Sequence, residues 1–256
     1  MSKSLVIAGT AEAKEVIIQL LKMNIEVSAV VTSRLGSQAL ADIENIRIHQ
    51  GRVSKQWIAG LLDSIEPDYV IDVSNPFSLE TTRNAMSVSQ IKKIGYIRYE
   101  RESVIDNWKD IIRVKNHDEA YKKLLSCQGN ILLTIGSGKV KVFTNIPEYK
   151  NRLFIRVLPD SKVIERCEKM GFNANNLIAM KGPFSEELNI ALIKYCNAAV
   201  LVTKESGNTG GVMEKIRAAQ RIGIPVIMIE REELHHENKA RSVDEVIRLI
   251  QNIQQE

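Results

Sequence analysis

Aromatic residues make up only 5% of this 256-residue chain, and its 35 basic residues outnumber its 31 acidic ones by a margin that forms no run. Both shortages argue against nucleic acid as a partner, which needs stacking surfaces and a concentrated basic footprint. Cysteine is scarce as well. Cys127, Cys167 and Cys196 are odd in number and share no metal-type spacing, which suits a reducing compartment. No apolar run reaches membrane-spanning length, and Met1-Ser2-Lys3-Ser4-Leu5 leads straight into a strand without a leader pattern. The expectation is a cytoplasmic protein away from the membrane, a monomer or a small homo-oligomer. Also missing are a Ser-His-Asp order, an H-E-x-x-H motif, clustered acids that suggest a metal, and any short-period repeat. His49 and His117 are isolated and His235-His236 falls in a charged loop, so surface or structural roles are expected for all four.

What the chain does have is an ordinary globular balance, 44% hydrophobic and 26% charged, enough to bury a sizeable core. Its apolar runs are short and alternate with segments of helical spacing. Leu5–Ala8, Ile25–Val31, Ile46–Ile48, Tyr69–Val73 and Gly95–Arg98 read as strands, with helices between them such as Trp57–Leu62 and Leu79–Lys92. A second series follows at Asn130–Thr134, Leu153–Leu158, Leu177–Met180, Val200–Thr203 and Ile224–Ile229. Ser242-Val243-Asp244-Glu245 looks like an N-capping box for a closing helix to about Ile253. Alternating strands and helices imply parallel sheets. The expected fold is therefore α/β, with two tandem doubly wound, Rossmann-like domains and a cleft between them. Residues 1–98 form the first domain, the charged, weakly periodic stretch 99–110 is a connector, and residues 111–256 form the second.

In such sheets ligands sit beyond the carboxyl ends of the strands, so the turns there are the candidate sites. The buried run Ala198–Val202 stops at Thr203-Lys204-Glu205-Ser206-Gly207 and delivers Lys204 to such an end. Gly9-Thr10-Ala11-Glu12, after the first strand, permits close backbone approach at a helix N-terminus, where the dipole favours phosphate. It is not G-x-G-x-x-G, and a plain tight turn reads it nearly as well. Gly9→Val is then expected to weaken cofactor binding without disturbing the fold. The second strand ends at Ser33 and Arg34 with no acid for ribose hydroxyls, a choice that favours NADPH and leaves NADH open. Asp72 ends a buried strand as a polar anchor, and Glu12 and Glu205 read as helix-start residues.

Taken together, these stretches resemble one family. Ala8-Gly9-Thr10-Ala11-Glu12-Ala13-Lys14 is similar to the Gly-Gly-Thr-x-Glu-Ala-Arg start of the precorrin-6A reductases of cobalamin biosynthesis. Asp72-Val73-Ser74-Asn75-Pro76-Phe77-Ser78 resembles that family's Asp-x-Thr-His-Pro-Phe-Ala, and Leu132-Leu133-Thr134-Ile135-Gly136 its Leu-Leu-Thr-Thr-Gly. Lys181-Gly182-Pro183-Phe184-Ser185 looks like its Arg-Gly-Pro-Phe-Ser, and Val202-Thr203-Lys204-Glu205-Ser206-Gly207 its Val-Thr-Lys-x-Ser-Gly. The five stretches follow the family's order and spacing over nearly the whole chain.

The resemblance implies a reductase that adds a hydride from NAD(P)H and a proton across one C=C bond of a tetrapyrrole, precorrin-6A or its cobalt form, giving precorrin-6B. It carries Ser74 and Asn75 to the cofactor side with Gly9, Thr10, Ala11, Glu12, Ser33 and Arg34. Pro76, Phe77, Gly136, Ser137, Lys139, Lys181, Gly182, Pro183, Ser185, Ser206 and Gly207 fall on the substrate side. Lys204 is the catalytic candidate, either holding a substrate carboxylate or donating the proton. A free lysine's pKa of about 10.4 favours the first role. Arg83, Arg98, Lys139, Lys181 and Lys204 are candidate cations for the substrate's acetate and propionate groups. The chain departs from the family where Asn75 replaces a histidine, Ser137 and Lys181 replace arginines, Lys14 replaces another and Ala8 a glycine. Lys139 and Lys141 supply charge near Ser137. Two rival readings are a non-catalytic NAD(P)-sensing module and a tandem α/β glycosyltransferase-like enzyme.

Overall fold

The computed structural model describes residues 2–101, 103, 111–207, 210–232, 234 and 238–253. They form two compact α/β units: residues 1–102 together with 232–256, and residues 103–231. The stretch 104–110, with most of the expected connector, and His235-His236 lie outside the described residues.

The first unit contains β1 (Lys3–Ala8), α1 (Glu12–Lys22), β2 (Glu26–Val31), α2 (Arg34–Ala39), β3 (Ile46–Gln50) and α3 (Lys55–Ile65). β4 (Tyr69–Val73), α4 (Leu79–Ile91) and β5 (Gly95–Tyr99) follow. All strand pairs are parallel. The alternation along β1 explains the double winding. Val6 packs with Val16, Ile17 and Leu20 of α1, whereas Leu5 and Ile7 pack on the opposite face with Ile58 and Leu62 of α3.

The second unit contains β6 (Ile111–Val114), α5 (His117–Leu124), β7 (Asn130–Leu133), a 3-10 turn (Val140–Asn145), α6 (Tyr149–Arg152) and β8 (Leu153–Val157). α7 (Ser161–Lys169), β9 (Leu177–Ala179), α8 (Glu186–Tyr195), β10 (Ala198–Lys204), α9 (Val212–Ile222) and β11 (Val226–Ile229) complete it. Its pairs are parallel too.

The last elements, β12 (Lys239–Ala240) and α10 (Val243–Ile253), do not stay with the second unit as the boundary 111–256 requires. β12 pairs with β5, supported by Arg98 N–H donating to Asn238 O at 2.9 Å and Glu100 N–H to Ala240 O at 2.8 Å. Val246 and Ile250 of α10 join the core that holds Val16 and Leu20. The physical reason is the open edge of β5, whose unpaired backbone groups need a partner strand. The closing helix is capped much as expected: Ser242 Oγ accepts from Glu245 N–H at 3.2 Å, and Glu245 Oε2 accepts from Arg241 N–H at 2.7 Å.

The strand orders are β3-β2-β1-β4-β5-β12 and β9-β8-β7-β10-β11-β6. Each is the dinucleotide-fold order 3-2-1-4-5-6, but with the sixth strands exchanged. The strand that follows β5 in the chain goes to the edge beside β11, and the strand that follows β11 goes to the edge beside β5. The direction of winding reverses between β1 and β4 in one sheet and between β7 and β10 in the other. Those two switch points are where such folds hold ligands.

Candidate functional site

At the first switch point the loop after β1 lies against the loop after β4. Gly9 N–H and Thr10 Oγ1 both donate to Val73 O, each at 3.2 Å. A Cβ on Gly9 would stand 2.9 Å from both Ser74 Cα and Asn75 N, closer than real side chains come. Glycine is therefore required for the two loops to touch, and Gly9→Val displaces backbone instead of leaving the fold intact. The amides of Thr10 and Ala11 have no hydrogen-bond acceptor among the described residues, and α1 starts without a side-chain cap. Ala11 is exposed. Glu12 is more than a helix-start residue: Arg101 grips it with two bonds of 2.7 Å.

The β4 side of this crevice is braced from within. Asp72 and Arg98, register partners on β4 and β5, form an ion pair at 2.9 Å with side chains 0% and 4% exposed. Tyr96 OH donates to Asp72 Oδ2 at 2.8 Å, and Ser74 N–H to Oδ1 at 2.9 Å. Arg98 also donates to Ser74 Oγ at 3.0 Å, and that hydroxyl lies 3.2 Å from Thr82 Oγ1. Burial, and then the charge of Asp72, raises the Tyr96 hydroxyl's pKa well above its ordinary value. Arg98 is thus an internal brace and not a rim cation, while Arg83 pairs with Glu232. The Ser74 hydroxyl serves the same brace. Asn75 Oδ1 accepts from Phe77 N–H at 2.9 Å and shapes the Pro76-Phe77 turn. Beyond β2, Ser33 Oγ caps α2 by accepting from Gly36 N–H at 3.1 Å. Arg34, first residue of α2, is exposed.

The second switch point repeats the plan. Thr134, just past β7, donates through N–H and Oγ1 to Val202 O at 2.8 and 2.9 Å, as Gly9 and Thr10 do to Val73. Gly136 has φ +75°, and neither it nor Gly138 has any atom near where a Cβ would stand, so this turn borders open space. Glu205, buried just past β10, pairs with Arg231 just past β11, one of the bonds at 3.0 Å, as Asp72 pairs with Arg98. Gly207 is buried at φ +73°, and Ser206 Oγ donates to Gly210 O at 3.4 Å.

Lys204 ends β10 partly buried, and that burial pulls its pKa down to about 8. His117, at the start of α5, is held to about 4 by burial and then by the charges of Lys204 and Lys139, so it is neutral at physiological pH. Lys139 and Ser137 border the same turn, Lys139 exposed and Ser137 half-buried.

The turn 181–185 is set apart from Lys204. It follows β9, three strands from β10 and so roughly 14 Å away at ordinary spacing. Lys181, Pro183 and Ser185 are exposed, the Gly182–Pro183 bond is cis, and Ser185 Oγ caps α8 by accepting from Leu188 N–H at 3.2 Å. Phe184 lies under the Arg156 guanidinium, 4.0 Å from ring centroid to Cζ. Arg156 also donates to Asn189 Oδ1 at 2.8 Å. Arg156 and Lys215, both buried, escaped the sequence reading. Their visible signals were a charge inside the apolar run Leu153–Val157 and a lysine on the apolar stripe Val212-Ile216-Ala219 of α9.

Two parallel sheets of dinucleotide-fold order, each with most of its candidate residues at the switch point, define a protein of the tandem Rossmann type. A family model described as "Precorrin-6x reductase CbiJ/CobK" matches residues 3–251. The chain is 32% identical over 250 residues to a cobalt-precorrin-6A reductase of Priestia megaterium, covering 97% of this chain and 98% of that one. It is 34% identical to the cobalt-precorrin-6A reductase of Methanothermobacter thermautotrophicus, over 92% of this chain and 78% of the other. A precorrin-6A reductase of Mycobacterium tuberculosis is 28% identical over 90% and 89%. The solved structure of "CobK precorrin-6A reductase" shares the fold with a TM-score of 0.79 at 19% identity, over 98% of this chain and 97% of that one. The chain belongs to the precorrin-6x reductase family and is an oxidoreductase.

Proposed function

We propose that the protein reduces one C=C bond of precorrin-6A, or of its cobalt form, to the precorrin-6B level with NADPH as reductant. The observation that carries the reading is the family match over residues 3–251, which includes all five resembling stretches. Four of them lie at the two switch points. On this reading the first unit holds the cofactor. The Gly9 turn, which has no room for a side chain and offers two unengaged amides at a helix N-terminus, suits a pyrophosphate. Arg34 suits the 2′-phosphate better than ribose hydroxyls. When bound, NADPH supplies the hydride. The chain's own residues orient it through the Gly9 and Asn75 loops and hold the tetrapyrrole's carboxylates on the cations of the second unit, of which Lys204 is the leading one. Lys139 joins it at the same switch point, while Lys181 meets a different part of the ligand.

Incubating the purified protein with NADPH and either metal-free or cobalt-loaded precorrin-6A, and following both absorbances, tests the reading. Cofactor oxidation matched to ring reduction is expected. Cofactor binding without turnover of either tetrapyrrole would support a sensing module instead. The metal-free and cobalt-loaded rates identify which substrate the protein uses.

Two variants test the cofactor half. Ala11→Asp places a carboxylate at an exposed helix N-terminus, which favours the helix while repelling a pyrophosphate. Its melting temperature is expected to hold or rise while its NADPH dissociation constant rises about tenfold or more; unchanged binding in titration removes the pyrophosphate from this turn. Arg34→Ala is expected to weaken NADPH roughly tenfold and NADH hardly at all. An unchanged NADPH-to-NADH ratio would rule out Arg34 as the reader of the 2′-phosphate.

A further inference from the structure

The face of the second sheet under α8 and α9 ends in a buried polar layer. Leu132, Phe154 and Leu201, on three adjacent strands, all pack in one cluster with Ala218 and Ala219 of α9. Side chains alternate along a strand. The residues two further on, Thr134, Arg156 and Thr203, therefore share that face at the carboxyl ends of β7, β8 and β10. Lys215 lies one turn before Ala218 and Ala219 on α9, on the same side of the helix, and is buried like its neighbours.

This layer carries more positive charge than it can use. Arg156 is 6% exposed and Lys215 7%. Among the described residues neither makes an ion pair: Arg156 bonds to the neutral Asn189 amide and lies on Phe184, and Lys215 donates to Gly210 O at 3.1 Å. Thr203 is fully buried with its hydroxyl unpartnered. α9 begins at Gly211 without a side-chain cap. A buried charge without a counter-charge is costly, and so is a buried hydroxyl without a partner. Two such cations and an orphan hydroxyl on one layer are donors arranged for an oxyanion, while the helix N-terminus already has the buried Glu214 Oε2 beside it, 3.7 Å from where a Gly211 Cβ would stand.

We propose that Arg156, Lys215 and Thr203 form a receptor for one carboxylate of the substrate, and that Lys215 takes up a proton as that carboxylate binds. The inference rests on the tetrapyrrole reading of the second unit. Without a ligand, burial first and then the charges of Arg156 and Lys204 lower Lys215 to about 7, with Glu214 acting the other way. Arg156 is itself lowered to about 10, chiefly by burial, with Cys196 opposing. Lys204 in turn faces Lys139 and His117. A carboxylate among these groups favours the charged lysine and raises its pKa. The ligand-bound state then binds more protons than the free one. Binding is full below the free pKa and weakens above it, with Kd rising up to about tenfold per pH unit from near pH 7.

Calorimetric titration of the full chain near pH 7.5, in two buffers of different ionisation enthalpy, tests this with precorrin-6A and with NADPH separately. A substantial fraction of a proton is expected to be taken up with the tetrapyrrole and none with NADPH. The uptake is expected to fall by more than half in Lys215→Met, leaving only the smaller share that Lys204 contributes from its free value of about 8, and the tetrapyrrole affinity of the variant falls at least tenfold. Lys215→Arg, always charged, is expected to keep most of the affinity with the same reduced uptake. Tetrapyrrole binding without proton uptake, uptake undiminished in Lys215→Met, or uptake on NADPH instead each overturns the proposal. If the tetrapyrrole does not bind at all, the proposed function falls and acetate decides the receptor. Nuclear magnetic resonance of the labelled lysine ammonium should show acetate raising the pKa of Lys215, and no change overturns the receptor as well.

Discussion

Replacing Arg98 by methionine is expected to lower the folding stability by about 3–5 kcal/mol, the range for stripping the partner from a buried charge. Asp72 has no route to solvent on β4, and Arg98 supplies its only ion pair among the described residues. Its remaining bonds, from Tyr96 OH and Ser74 N–H, do not neutralise it. The variant also removes one of the two bonds at Ser74 Oγ and leaves only Thr82 Oγ1, so the loop facing Gly9 is held less firmly. Denaturant unfolding of wild type, Arg98→Met, Asp72→Asn and the double variant measures the coupling. The double variant is expected to be markedly more stable than Arg98→Met, because removing both charges leaves none uncompensated. NADPH binding should weaken in Arg98→Met even where the protein stays folded. A loss below about 1 kcal/mol, or strictly additive single effects, would show that the pair is no brace.

Most of the strands were legible because their apolar runs are short, β-branched and cut off by polar turns, as at Tyr69–Val73 before Ser74. The candidate turns were legible for the same reason: they stand where such runs stop. What escaped was set by contacts distant in sequence. β12 is two residues long, Lys239–Ala240, and carries no periodicity; only the open edge of β5 makes it a strand. The exchange of sixth strands is invisible for the same reason, since Ile111–Val114 is four residues long with two of them exposed, was not among the strands read from the sequence, and is made a strand by its pairing with β11. α2 was missed because none of its residues is buried, which leaves no apolar stripe to read. Arg98, read as a rim cation, sits opposite Asp72 by sheet register, and register is not written in either residue. The same blindness hid Arg156 and Lys215, which meet only because β8 and α9 close over one face.

The second large effect is expected at Lys204. From sequence its ordinary pKa argued against proton donation, but burial brings it down to about 8, so acidity no longer excludes that role. The two roles still exclude each other electrostatically. A carboxylate held by the ammonium stabilises the proton and turns the lysine back into a poor acid, so one group cannot grip and donate to the same ligand efficiently. Its position favours gripping: Lys139 stands at the same switch point, Arg156 ends β8 in the same sheet, and Lys215 lies on α9 close enough for its charge to be felt. A cation cluster of this kind matches a ligand with several carboxylates better than a single proton transfer. Truncating one partner of a desolvated charge pair costs about 2–5 kcal/mol. Lys204→Ala is therefore expected to raise the Michaelis constant for tetrapyrrole about thirtyfold or more, with turnover at saturation falling less than about tenfold. Lys204→Arg should recover part of the affinity, and NADPH binding should hardly change in either variant. The pH dependence has a fixed sign. The ligand-bound lysine holds its proton more tightly, so the wild-type Michaelis constant rises as pH passes the free value of about 8. Arginine at this position removes the share of the rise that starts near pH 8 and leaves the share that starts near pH 7 at Lys215. A collapse of turnover by several orders of magnitude with tetrapyrrole binding intact would make Lys204 the proton donor and leave the carboxylates to its neighbours.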